Sequence, residues 1–325
     1  MTPEARSRAP IGVLVMAYGT PSSYDEVESF YTDVRRGRPP SAEQLADLQR
    51  RYAAVGGVSQ LSVRTAEQVA GIQAVLERLE PGRYSCRYGA KHASPIIEEA
   101  IEQMAADGLE ELVALVLAPH YSSGSVGEYL RRVTEKAAAL GMRVASIEDW
   151  HDHTVLVELL AERVRKAFAA VGAEPGDAET ELLVTAHSLP LRIIEAGDGY
   201  DRRLADTGRL VAAAAGVGQR WRVCWQSAGR TPEPWIGPDV LEVLRGLRAE
   251  GISGAVVCPA GFVSDHLEVN YDLDIEAKGI AGELGLRFAR TESLNADERL
   301  CEALARLVHG AALAAGMEPE AGPAP

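Results

Sequence analysis

Lysine is nearly missing from this sequence. It occurs only at 91, 136, 166 and 278, so arginine supplies almost all of the 33 positive charges, which face 47 acids. The resulting balance of −14 argues against a general nucleic-acid binder, which needs a basic face. Cysteine is scarce too. Cys86, Cys224, Cys258 and Cys301 lie far apart, in or beside apolar segments, with no C-x-x-C pair. That argues against a disulfide framework and reads as buried small hydrophobes. No apolar run approaches the ~18 residues of a membrane span, and "MTPEARSRAP" (1–10) lacks the apolar region of a secretory signal. A soluble cytoplasmic chain is expected, with no stable membrane insertion and no nucleic-acid partner. No coiled-coil heptad is evident, which leaves a monomer as the default.

What is present is alternation. "IGVLVMA" (11–17), "LVALVLA" (112–118), "ELLVTA" (181–186) and "GAVVCP" (254–259) read as buried parallel strands. Between them lie helix patterns at 94–108, 126–141 and 237–251, each ending on glycine, the residue favoured past a helix C-terminus. This order predicts an α/β architecture with parallel sheets. With 325 residues, more than one domain is expected. The linker pattern falls at "AVGAEPGDAETE" (170–181), and the halves on either side are alike. Aligning Ala17 with Ala186 sets Tyr18 on His187 and Pro21 on Pro190. "LVLAPHYSSGSVGEY" (115–129) likewise resembles "VVCPAGFVSDHLEVNY" (256–271). Two similar lobes follow, from an internal duplication. Tyr18, Tyr129, His187 and Glu268 then lie at or after strand carboxyl ends, where open α/β sheets bind ligands. Lobes that face each other would set all four on one cleft.

Three features carry chemistry. First, "TAHSLP" (185–190) places His187 at a strand end; Ser188 is adjacent and no G-x-S-x-G elbow exists, which argues against a Ser–His hydrolase. A backbone-bonded histidine is the bland alternative. Second, Glu268, Asp272 and Glu276 recur every fourth residue, on one stripe of an α-helix, roughly 6 Å apart. Like charges at that spacing cost roughly 0.2–0.5 kcal/mol per pair. The stripe therefore faces either water or a cation. Val269 and Leu273 beside it need packing. A histidine with carboxylates suits Fe(II) or Zn(II), and acids in file behind one histidine resemble a route more than a closed four-ligand site. Third, Arg35, Arg36, Arg38, Arg50 and Arg51 crowd one stretch, followed by the turn "VGGVS" with Ser59. They form either a solvated basic loop or a clamp for a small polycarboxylate. A cation route beside an anion clamp asks for a ligand that is a polycarboxylate and receives a metal.

At this point the chain resembles the ferrochelatase family, and within it the coproporphyrin-using enzymes of Gram-positive bacteria. The resemblance rests on "VLVMAYGTP" (13–21), "RRYAAVGGVSQL" (50–61), "YGAKHASPIIEEAI" (88–101), "VLAPHYSSGSVGEY" (116–129), "TAHSLP", "WQSAGRTPEPWIGPDV" (225–240) and "GFVSDHLEVNYDLDIE" (261–276). It implies two Rossmann-like lobes with a porphyrin cleft between them. One comprises 1–175 plus 291–325, with a C-terminal helix folding back. The other, 176–290, carries His187 and Glu268. By similarity, His187 and Glu268 are the catalytic pair at the metal-insertion point. Asp272 and Glu276 are the acidic ladder behind it, often on a helix with a π-turn. Tyr18, Arg35, Arg51, Ser59 and Tyr129 bind the porphyrin and its propionates. The implied reaction inserts Fe(II), a substrate metal, into coproporphyrin III to give Fe-coproporphyrin III. The alternatives are protoporphyrin IX as substrate, a cobalt chelatase acting on a sirohydrochlorin, and a haem- or metal-binding protein without catalysis. Some relatives hold an iron–sulfur cluster through cysteines near the C-terminus; the tail after Cys301 has none, so no cluster is expected. Burial is expected to raise the Glu268 pKa and lower that of His187, bringing both nearer neutrality.

Overall fold

The structure is a computed structural model that describes residues 9–58, 60–229 and 231–317; Ser59 lies outside the described residues. β1 (Ile11–Ala17), β2 (Tyr84–Ala90), β3 (Glu111–Val116) and β4 (Arg143–Ile147) form a parallel sheet in the order β2-β1-β3-β4. β5 (Thr180–His187), β6 (Trp221–Gln226), β7 (Gly254–Cys258) and β8 (Arg287–Arg290) form a second, in the equivalent order β6-β5-β7-β8. The four apolar runs of the sequence are the two inner strands of each sheet. The outer strands β2, β4, β6 and β8 are half-exposed and carry arginines and other polar residues, so no apolar run marks them.

Each inner strand buries both faces, and strand alternation sorts the side chains. Ile11, Val13 and Val15 of β1 join one core, while Leu14 and Met16 join another. β5 does the same: Leu182, Val184 and Ala186 point one way and Leu183 the other. The first-named sets of both strands belong to one continuous apolar core. α6 (Thr154–Ala170), α8 (Tyr200–Ala215) and α12 (Glu298–Ala314) fill it, with Phe168, Leu204 and Leu304 at or near zero exposure. α6 packs against both α8 and α12, and α12 packs against α3 (Leu61–Leu79). Gly71 permits that last contact: a Cβ there would lie 2.6 Å from Cys301 Sγ. Gln68 Nε2 donating to the Asn295 carbonyl at 3.0 Å adds to it. The two sheets are therefore held by shared apolar packing rather than a flexible tether.

The acidic segment departs from a regular α-helix. α10 (Leu267–Tyr271) passes into a π-helical turn (Asp272–Ala277) and then α11 (Lys278–Glu283). A π-turn takes more residues per turn than an α-helix, so the straight i,i+4 stripe is not kept. Val269, Asp272 and Leu273 are buried, Glu276 is half-buried and Ile275 is exposed. Among the described residues, no helix is long and apolar enough to cross a membrane.

Candidate active site

A cavity of about 350 Å³ lies between the lobes, at the carboxyl ends of the inner strands. Tyr18, the residue after β1, and Tyr129 of α5 (Val126–Ala139) line it from the first lobe. His187, the last residue of β5, and Glu268 of α10 line it from the second.

His187 is fixed by its strand end. Its carbonyl accepts from Tyr200 Oη at 3.1 Å, and its Nδ1 is hydrogen-bonded to the Ser188 carbonyl. Ser188 is held in turn by its Oγ donating to Ile236 O at 2.7 Å and its N–H donating to Gln226 O at 2.8 Å. That leaves Nε2 facing Glu268, 3.5 Å from Oε1. The other oxygen, Oε2, lies 3.5 Å from His266 Nε2. His266 presents that nitrogen because its Nδ1 bonds the Ser264 carbonyl at 2.9 Å.

The pair's protonation runs opposite to the burial argument. Desolvation by itself does push His187 down, but the Glu268 carboxylate outweighs it and lifts the imidazole to about 9. Desolvation likewise pushes Glu268 up, yet His187 and His266 hold it well below the usual carboxylate range. At neutral pH these shifts make the two side chains an imidazolium–carboxylate pair. Burial would yield two neutral groups only if they were apart; at this distance mutual attraction wins.

Behind Glu268, Asp272 is buried and accepts from Ser227 Oγ at 2.5 Å. Ser227 makes this contact from a left-handed backbone, φ 60°, which non-glycine residues seldom adopt. Desolvation, reinforced by Glu268 and only partly offset by Ser227 and Arg51, raises the Asp272 carboxyl to about 6. Arg51, on α2 (Ala42–Ala54), reaches from the first lobe to the second: Nη1 lies 3.5 Å from Asp272 Oδ1, and neither side chain is among those that line the cavity. The same guanidinium lies over the Tyr271 ring at 4.6 Å and bonds Asp47 at 3.2 Å. Arg35 is not with it. It follows α1 (Val27–Val34), stacks on Tyr31 at 5.5 Å and donates to the Arg38 carbonyl at 3.2 Å; the cavity wall there is Tyr31 and Val34. Tyr18 packs edge-on to His92, ring centroids 4.7 Å apart, and Tyr129 lies beneath the Lys91 ammonium at 5.1 Å.

Sequence reading passed over His266, His120 and Ser227. His266 stands two residues before Glu268 in "SDHLE". His120 stands four residues past the end of β3, after the apolar run 112–118 and Pro119. It lines the cavity, is pushed down to about 3 chiefly by desolvation, and accordingly stays neutral. No sequence signal marks Ser227. Among the described residues no three His, Cys, Asp or Glu side chains converge into a closed metal site. The arrangement is an open pair with a buried carboxylate behind it. It can bind a cation, exchange protons with a ligand in the cavity, and release both.

Comparison with known structures first defines the fold as chelatase-like. The chain superimposes on SirB from Bacillus subtilis with Fe3+ (TM-score 0.60, 11% identity, 95% of this chain and 98% of that one). It also matches CbiX, described as the terminal enzyme for biosynthesis of siroheme in denitrifying bacteria (TM-score 0.51, 15% identity, 92% and 98%). Sequence then gives the family: the Ferrochelatase model matches residues 10–312, and the chain belongs to the ferrochelatase family. It is 44% identical to the coproporphyrin III ferrochelatase of Geobacillus thermodenitrificans (strain NG80-2) over 93% of this chain and 96% of that one. It is 41% identical to the protein of that name from Bacillus subtilis (strain 168), over 93% and 98%.

Proposed function

We propose that this enzyme inserts Fe(II) into coproporphyrin III, giving Fe-coproporphyrin III in haem biosynthesis. The observation that carries the proposal is the charged His187–Glu268 pair at the wall of the inter-lobe cavity. Identity above 40% to relatives named for this reaction supports the choice of substrate. The siroheme-related enzymes share the fold alone, at 11–15% identity.

In this reading the ring lies between Tyr18 and the His187–Glu268 pair, with Tyr129 alongside. Arg35, Arg51 and Ser59 take propionates. Asp272 and Glu276 deliver the metal. Two pyrrole protons must leave while Fe(II) sheds water. With His187 charged, Glu268 is the member of the pair able to accept a proton, but the attraction that keeps it ionised also makes it a weak base until the His187 proton leaves. An arriving dication replaces the proton on His187, so metal entry and proton departure are coupled at one pair. Fe(II) is substrate, not resident cofactor. We propose no iron–sulfur cluster: Cys86, Cys224, Cys258 and Cys301 are dispersed, and desolvation pushes the Cys86 and Cys258 thiols up to about 12. The same reading makes the enzyme a cytoplasmic monomer.

The test is anaerobic mixing of the protein with Fe(II) and either coproporphyrin III or protoporphyrin IX, following the porphyrin spectrum. Faster turnover of coproporphyrin III is expected. Equal or better use of protoporphyrin IX would overturn the substrate assignment.

A further inference from the structure

Arg51 and Asp272 belong to different tasks. In the reading above, which this inference rests on, the first takes a substrate anion and the second handles the incoming cation. In the structure they hold each other, 3.5 Å apart, one from each lobe. The contact is built on both sides. Asp47 and the Tyr271 ring steer the guanidinium, and Ser227, in its strained backbone, fixes the carboxylate. Both partners are largely withdrawn from solvent, with side chains 24% and 10% exposed, so the attraction is weakly screened.

We propose that the Arg51–Asp272 bridge is a latch that couples the two substrates: the guanidinium occupies the place of the cation at Asp272 until an anionic ring draws it away. A divalent ion at Asp272 must otherwise displace, or sit beside, a positive charge. A propionate arriving at Arg51 gives the guanidinium another partner and leaves Asp272 as an uncompensated carboxylate beside Glu268. The cation then binds more tightly. By linkage, the cation must tighten the ring by the same factor. The consequence is ordered loading: porphyrin first and metal second, which keeps a cation-hungry carboxylate capped while no ring is present to receive the ion.

The experiment measures Mn(II) binding, with zinc coproporphyrin III as the anion. That ring already holds its metal and cannot take another. Mn(II) affinity is measured by titration calorimetry and EPR for wild type, Arg51→Gln, Asp272→Asn and the double variant, each with and without the ring. Wild type should gain about fivefold or more in Mn(II) affinity when the ring is bound. Arg51→Gln should bind Mn(II) more tightly without the ring and gain little from adding it. Asp272→Asn should abolish both gains. The latch is wrong if Arg51→Gln binds Mn(II) no better than wild type. It is equally wrong if the ring strengthens Mn(II) binding by the same factor in both. Failure of zinc coproporphyrin III to bind wild type would instead overturn the substrate reading, and the Arg51→Gln and wild-type comparison without the ring would still decide the latch. Thermal melts of each variant separate a lost latch from a lost fold, and Arg51→Lys, which keeps the charge, should bind Mn(II) less tightly than Arg51→Gln when no ring is present.

Discussion

Replacing Asp272 by asparagine should make the protein more stable while making it a poorer enzyme. The carboxyl is raised from 3.8 to about 6 on folding, chiefly because it is buried. An acid whose pKa rises on folding destabilises the native state wherever it is ionised, and does so fully above the folded value. The shift corresponds to about 3 kcal/mol at neutral pH. Asparagine removes the charge and keeps an oxygen to accept from Ser227 Oγ; what Ser227 and Arg51 give the charged form is already contained in that shift. The expected net gain is at most about 3 kcal/mol at pH 7, a rise in Tm of a few degrees for a chain of this size. The gain has a defined pH course. It is largest above pH 6, shrinks as the native carboxyl protonates, and vanishes below the unfolded value of 3.8. Thermal melts at pH 7.5, 5.5 and 4, with anaerobic iron-insertion rates on the same samples, measure both effects. A variant less stable than wild type at pH 7.5 would mean that the Arg51 bridge outweighs desolvation, and the reasoning about this carboxylate would fail.

Other outcomes follow from the same geometry. His187→Ala should fold normally and lose metal insertion; substantial turnover by the folded variant would remove His187 from the reaction. Because its folded pKa of about 9 exceeds the ordinary 6.5, His187 stabilises the fold fully below 6.5, and that contribution fades as pH rises through 9. Glu268→Gln should return the His187 titration, followed by NMR, to a lower pH, since the carboxylate is what lifts it. Phe168, with no exposed surface in the core shared by both sheets, should cost about 3–5 kcal/mol as alanine. Both lobes should melt together in that variant, and two separated transitions would contradict the continuous core. Gly71→Ala should destabilise by about 1–3 kcal/mol because its Cβ meets Cys301 Sγ at 2.6 Å. Adding Cys301→Ala should recover most of that loss in chemical denaturation.

Sequence by itself determined what depends on local pattern. The four apolar runs had to be buried strands, since only a strand covered on both faces tolerates uninterrupted hydrophobes, and the sheets show them to be the inner ones. The likeness between residues 13–21 and 181–190 required two sheets of one topology, and both follow the same strand order. His187 at a strand end and Glu268 after the equivalent turn were legible for the same reason. Tertiary structure decided what depends on approach between distant segments. The π-turn replaces the straight carboxylate stripe, a choice that i,i+4 spacing does not record. Arg51 and Arg35 look alike in sequence. Only folding sends the first to Asp272, 221 positions away, and the second to Tyr31 on its own helix. The protonation of His187 and Glu268 was decided there too. Desolvation and attraction have opposite signs, and the 3.5 Å separation that lets attraction win exists only in the folded chain.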